Sequence, residues 1–293
     1  MRLRFVALTA LFLGCASSGS DATQDDAALK EQSNATLPLR EVSGLAGRAG
    51  HFVAVGDRSS TVVTFRMHNG DITDAVKHNA LPEAGKNGSQ YEAVTYDAKG
   101  NIVVLSERGE IIVLAANADF EESTSTLDWD SANAFVAGHV NANSLGEGLV
   151  VLSSSHILVA LEKSPSAIIE FGPKGDDAIG FPGSTSTAAF APGKTLVALT
   201  AWKVDDKDAQ DLSEISVGPD GALWGLSQQS EKIVRFEHTL RPSEERASVK
   251  QSFSLPSSIV GAEGLVFDGN KPMVARDRSA KSKNLFVLDP IAL

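Results

Sequence analysis

The chain has 293 residues, 42% of them hydrophobic and 22% charged, which allows a sizeable core and excludes wholesale disorder. Its net charge of −11, with basic residues scattered rather than gathered into a stripe, argues against nucleic acid as a partner and leaves cations, basic partners or plain solubility. A single cysteine, Cys15, excludes an intramolecular disulfide.

Residues 1–15, MRLRFVALTALFLGC, place Arg2 and Arg4 ahead of an apolar run from Phe5 to Leu13 that is too short to cross a bilayer as a helix. This is the layout of a secretory signal peptide. Its end, Leu11-Phe12-Leu13-Gly14-Cys15, resembles a bacterial lipobox, with Phe12 where Leu is usual. Cys15 is therefore the expected lipidation site, and its acyl chains would tie the protein to a membrane without spanning it. Ala16 and Ser17 follow, with no inner-membrane retention Asp, so the expected location is the bacterial cell envelope, on the outer membrane facing the periplasm. Residues 16–36 are small, polar and acidic and read as a flexible tether.

From 37 to 293 one unit recurs five times: a glutamate, an apolar strand, a turn, and a second apolar strand ending in an acid or amide. The openers are Glu41, Glu92, Glu147, Glu214 and Glu263, and the closers are Asp57, Glu107, Glu162, Gln228 and Asp277, at offsets of 16, 15, 15, 14 and 14 residues. Third strands follow at Thr61–Phe65, Glu110–Leu114, Ala167–Phe171, Lys232–Phe236 and Leu285–Leu288. A fourth strand is expected at Ile72–His78 after the Asn69-Gly70 hairpin turn, and another at Thr195–Leu199 after a Gly/Pro/Ser-rich excursion from Gly172 to Gly193. Turn chemistry recurs at Asp97–Gly100 and Pro219-Asp220-Gly221. Short strands at such a period predict an all-β propeller of five blades, or six if the stretch from Gly172 to Asp211 hides a degenerate one. The chain stops before a last fourth strand, so an N-terminal strand, Thr36–Arg40, is expected to close the final blade.

In a propeller the first strand of each blade lines the central channel, and antiparallel pairing sets its start beside the end of the second. Nine carboxylates, Glu41, Glu92, Glu147, Glu214, Glu263, Asp57, Glu107, Glu162 and Asp277, are thereby expected at one rim. Such a set needs protons, backbone N–H groups or a cation to offset its repulsion. Oxygen ligands without clustered Cys or His favour Ca²⁺. The openers also read as fasteners that accept hydrogen bonds from a neighbouring blade, and Arg58, Arg108, Lys163, Arg276 and Arg278 stand beside the closers as possible ion-pair partners.

EVSGLA at Glu41, YEAVTYD around Glu92, LSERG around Glu107, the stretch from Gly146 to Pro173, the stretch from Asp211 to Phe236, and GAEGLVFD from Gly261 together resemble the SdiA-regulated family of bacterial propellers, over nearly all of 38–290. The resemblance implies a five-bladed propeller with a calcium site and no characterised biochemical role; Gln228 departs from a closing acid. The function expected is a lipid-anchored, monomeric recognition module for a small-molecule or protein ligand at a calcium-bound rim. The alternative is a Ca²⁺-dependent hydrolase of the lactonase, esterase or phytase kind. No catalytic residue is assigned, because His51, His68, His78, His139, His156 and His238 are scattered, with only His139 close ahead of an opener.

Overall fold

A computed structural model describes residues 27–82, 90–116, 122–136, 145–184, 188–278 and 281–293. The signal segment, Cys15, the tether up to residue 26 and His139 lie outside the described residues.

In chain order the strands are β1 (Ala27–Ala28) and β2 (Glu31–Ala35), then β3 (Val42–Arg48), β4 (His51–Gly56), β5 (Val62–His68) and β6 (Asp71–His78). Next come β7 (Tyr91–Tyr96), β8 (Ile102–Ser106), β9 (Glu110–Leu114) and β10 (Glu122–Asp128), followed by a 3₁₀ turn at Trp129–Ala134. β11 (Gly148–Val151), β12 (Ile157–Leu161), β13 (Ala167–Pro173) and β14 (Thr195–Lys203) follow. The last are β15 (Glu214–Val217), β16 (Leu223–Ser227), β17 (Lys232–Phe236), β18 (Val249–Ser254), β19 (Ala262–Asp268), β20 (Lys271–Arg276) and β21 (Leu285–Leu288). Consecutive strands pair antiparallel within β3–β6, β7–β10, β11–β14, β15–β18 and β19–β21. A parallel pairing of β10 with β14 joins two of these meanders at their outer edges.

The innermost strands touch in a closed cycle, β3 to β7, β7 to β11, β11 to β15, β15 to β19 and β19 back to β3. Each pair of successive meanders encloses its own apolar core. One holds Ala93, Leu105, Val159 and Phe171, another Leu158, Trp202, Ile215 and Phe236, and a third Leu45, Phe52, Val266 and Met273. Faces turned both ways into such cores explain why the second strands read as unbroken apolar runs: every residue of β8, β12 and β16 is buried. Outermost β6, DITDAVKH, is polar and largely exposed, which protects an open edge from mispairing. This is the β-propeller that the repeats predict.

The inner strands approach so closely that side chains are excluded. A Cβ on Gly148 would stand 2.4 Å from the Ile215 nitrogen, and one on Gly44 would stand 3.0 Å from the Glu92 carbonyl oxygen. A small residue after the rim position is therefore a packing requirement wherever backbone meets backbone.

The N-terminal segment differs from expectation. The strand that pairs with β21 is β2, Glu31–Ala35, rather than Thr36–Arg40, and β1 adds a parallel partner to β18. Both lie inside the segment 16–36 read as a tether. β1 is only two exposed alanines and β2, EQSNA, is an outermost, polar and largely half-buried strand, so no apolar alternation announces them.

The excursion after β13 lies over the turns between first and second strands. Asp97 Oδ2 accepts the Phe190 N–H at 3.1 Å, and Ala191 N–H donates to the Ser154 carbonyl at 2.7 Å. The openers and closers lie at the opposite end.

Candidate functional site: an acidic channel rim

Register places the openers and closers together. Val42 faces Gly56, Tyr91 faces Ser106, Gly148 faces Ala160, Glu214 faces Leu226 and Ala262 faces Arg276. Backbone bonds seal these ends: Glu107 N–H donates to the Gln90 carbonyl at 2.7 Å, Glu147 N–H to Ala160 at 3.0 Å and Asp277 N–H to Gly261 at 3.0 Å.

One opener is misassigned by the sequence. Register shifts between Val42 and Gly44, between Tyr91 and Ala93, and between Ala262 and Gly264 make Ser43 the counterpart of Glu92 and Glu263. Ser43 Oγ donates to the Tyr91 carbonyl, fastening the first meander to the second. Glu41 lies two residues earlier with φ of 48° and borders a separate cleft with Arg40, Arg58 and Lys77. Its removal from the rim corrects the expected set of nine. The offset carried the signal: Ser43 to Asp57 is 14 residues, matching Glu214 to Gln228 and Glu263 to Asp277, whereas Glu41 gives 16.

The remaining rim acids act on one another. Burial, then the charges of Asp57, Glu107, Glu263 and Glu162, push the Glu92 carboxyl up to about 8. Burial, then Asp277, Glu162, Asp211 and Asp57, do the same to Glu263, also to about 8. Glu147 is raised well above the ordinary carboxylate range by burial and by Glu92, Glu162, Glu263 and Glu107. Glu107 is raised by burial, with Asp57 and Glu162 adding to the shift and Arg108 opposing it. Several acids act on more than one of these carboxyls, so acids of all five meanders form one electrostatic unit.

Individual partners differ. Asp57 Oδ1 is buried with no hydrogen-bond partner among the described residues, while Oδ2 stands 3.6 Å from Arg58 Nε. Lys163 Nζ lies 2.6 Å from Glu162 Oε1. Gln228, the closer that is not an acid, donates from Nε2 to Glu263 Oε1 at 2.7 Å. Arg276 turns away, bonding the Lys283 and Ser258 carbonyls and covering the Phe286 ring.

Glu214 has another role. It is fully buried, and its carboxylate accepts the N–H of Ile215 at 3.0 Å and that of Leu45 at 3.4 Å, with Leu149 N–H also bonded. Burial raises it well above the ordinary range and these N–H groups oppose the shift. It fastens the inner strands β3, β11 and β15.

Asp211 is an acid the repeat does not reveal. Buried three residues before Glu214, it accepts Ser227 Oγ–H and the Gln229 N–H and adds its charge to the field at Glu263. His156 is buried at the far end of the propeller, between Glu170 at 2.7 Å and Asp176 at 3.4 Å.

Among the described residues no three carboxylate, imidazole or thiol groups already converge on one metal-sized point. The donor set is all oxygen, the kind a hard cation takes, but in this arrangement its members are neighbours in a shared field rather than ligands around a centre.

A family model described as SdiA-regulated matches residues 26–273. No curated protein matches the chain. Among solved structures, Myxococcus xanthus glutaminyl cyclase superposes with a TM-score of 0.55 at 11% identity, covering 90% of this chain and 98% of that one. An aldose sugar dehydrogenase from Streptomyces coelicolor, in its PQQ-bound form, gives 0.46 at 11% identity over 89% and 98%. Virginiamycin B lyase from Staphylococcus aureus gives 0.42 at 13% over 90% and 74%. At such identities the first likeness concerns the fold alone, and the other two carry no argument.

Proposed function

For a chain that belongs to the SdiA-regulated family, we propose a five-bladed, lipid-anchored propeller of the bacterial envelope that recognises a ligand at a Ca²⁺-loaded acidic rim. The closed cycle of five inner strands supports the blade count. The lipobox-like sequence ending at Cys15 supports the anchor and the periplasmic face of the outer membrane. One observation carries the calcium reading: burial and the charges of neighbouring acids raise the carboxyls of Glu92, Glu147 and Glu263, beside a buried Asp57 oxygen that has no hydrogen-bond partner among the described residues.

Such a rim is saturated either by protons or by a hard cation. Ca²⁺ tolerates irregular, many-oxygen coordination, so it would draw carboxylates from several meanders onto one ion. Glu92, Glu147 and Glu263 are the proposed core ligands, with Asp57, Glu107, Glu162 and Asp277 as outer donors. Glu214 and Gln228 serve as fasteners. Ligand recognition then occurs at the rim end of the channel.

The hydrolase alternative is tested directly. The purified protein is assayed on lactone, aryl ester and phosphate ester substrates with and without Ca²⁺, and no turnover is expected. Metal-dependent turnover that disappears in Glu147→Gln would replace the recognition module with an enzyme.

A further inference from the structure

Beside the acidic rim lies a cleft of opposite character. It has a volume of about 480 Å³ and is lined by Arg40, Arg58, Lys77, Glu41, Ser59 and Thr61 together with Pro38 and Leu39. Three cations face one carboxylate there, in a chain whose net charge is −11. Arg40 and Lys77 are exposed, and they come from two separate segments: the strap that enters β3, and the end of the outermost strand β6. Arg58 stands between cleft and rim, exposed and only 3.6 Å from Asp57. Glu41, at the floor of the strap, holds a left-handed φ of 48°, a conformation a non-glycine residue keeps only where its surroundings enforce it.

From this arrangement we infer that the cleft binds a phosphate monoester. A dianionic phosphate presents three acceptor oxygens and two negative charges. Two guanidinium groups supply forked donors to those oxygens, an ammonium supplies a point charge, and the Ser59 hydroxyl supplies a neutral donor, while the Thr61 hydroxyl donates to Asn79 Oδ1. A carboxylate would use one fork and leave the remaining positive charge unmatched. The volume exceeds that of a phosphate alone, so the ester substituent is accommodated as well. The inference does not draw on calcium at the rim.

The test titrates inorganic phosphate and phenyl phosphate into the purified full chain by calorimetry in EDTA, which separates it from the calcium reading. Saturable binding is expected, weakened on the order of tenfold or more in an Arg40→Gln/Lys77→Gln double variant, since the variant removes charge-assisted hydrogen bonds. An unchanged melting temperature in the double variant shows that it is folded. Acetate at the same concentrations should give no comparable heat. Vesicles containing phosphatidic acid form a second arm: sedimentation with them, lost in the double variant, assigns the phosphate to a lipid headgroup, and its absence alongside phenyl phosphate binding assigns it to a soluble ester. No binding of either phosphate at millimolar concentration, or binding that the double variant leaves intact, would overturn the inference.

Discussion

Glu214 Oε2 accepts the backbone N–H of Leu45 at 3.4 Å, linking two inner strands across a sequence separation of 169 residues. The same carboxylate bonds Ile215 and Leu149, so one side chain satisfies N–H groups that line the channel with no strand partner. Glu214→Ala should lower the melting temperature sharply, because each buried N–H left without an acceptor costs about 1–3 kcal/mol. Glu214→Gln should cost less, since one oxygen remains. Calcium affinity measured on the folded variants should change little; a large loss of affinity would move Glu214 into the binding set.

Glu41 and Ser43 separate in the same way. Glu41→Gln should leave calcium binding as it is, because Glu41 borders the neighbouring cleft. Glu147→Gln should weaken it at least about tenfold, equivalent to about 1.4 kcal/mol. Calorimetric titration of both variants decides this, and equal losses would restore Glu41 to the rim.

How the sequence failed at Glu41 is instructive. The five apolar hairpins, their turns and the channel order were legible, because strand pattern and turn chemistry are local. The rim position itself was legible in four meanders as an acid followed by a strand. In the first it was masked by EVSG, where a glutamate precedes the true position, Ser43, by two residues. The β-bulge that fixes which residue faces the channel is a property of pairing, and it has no residue signature of its own. β1 and β2 were missed because outer strands bury little and carry no periodic apolar pattern. Asp211 was missed because its place at the rim depends on hydrogen bonds from Ser227 and Gln229, 16 and 18 residues later, rather than on the repeat.

The raised carboxyls set a pH dependence. Glu92 and Glu263 stand at about 8 when folded against 4.5 when exposed. The folded state therefore holds protons that the unfolded chain releases. Their stabilising contribution is full below about pH 4.5 and is lost as pH rises toward 8. In EDTA the melting temperature should fall between about pH 5 and about pH 8, and Glu263→Gln should make that fall shallower. A melting temperature that climbs across this window, with the same slope in the variant, would contradict the assignment.

The anchor is tested by fractionation. Wild-type protein expressed with its signal peptide should sediment with outer membranes, and Cys15→Ser should release it to the soluble fraction. Sedimentation unchanged by the substitution would remove the lipid anchor from the account.

The central claim is that the rim exchanges protons for calcium, and calorimetric titration of Ca²⁺ into the EDTA-treated chain at about pH 7.5, with melting followed in parallel, tests it most directly. Saturable binding should appear with proton release and a rise in melting temperature, since a ligand held only by the folded state stabilises it by about 2.7 kcal/mol at a hundredfold excess over its dissociation constant. Neither heat nor a melting shift at millimolar Ca²⁺ would contradict the claim and leave the acidic rim as a fastening of the propeller's inner strands.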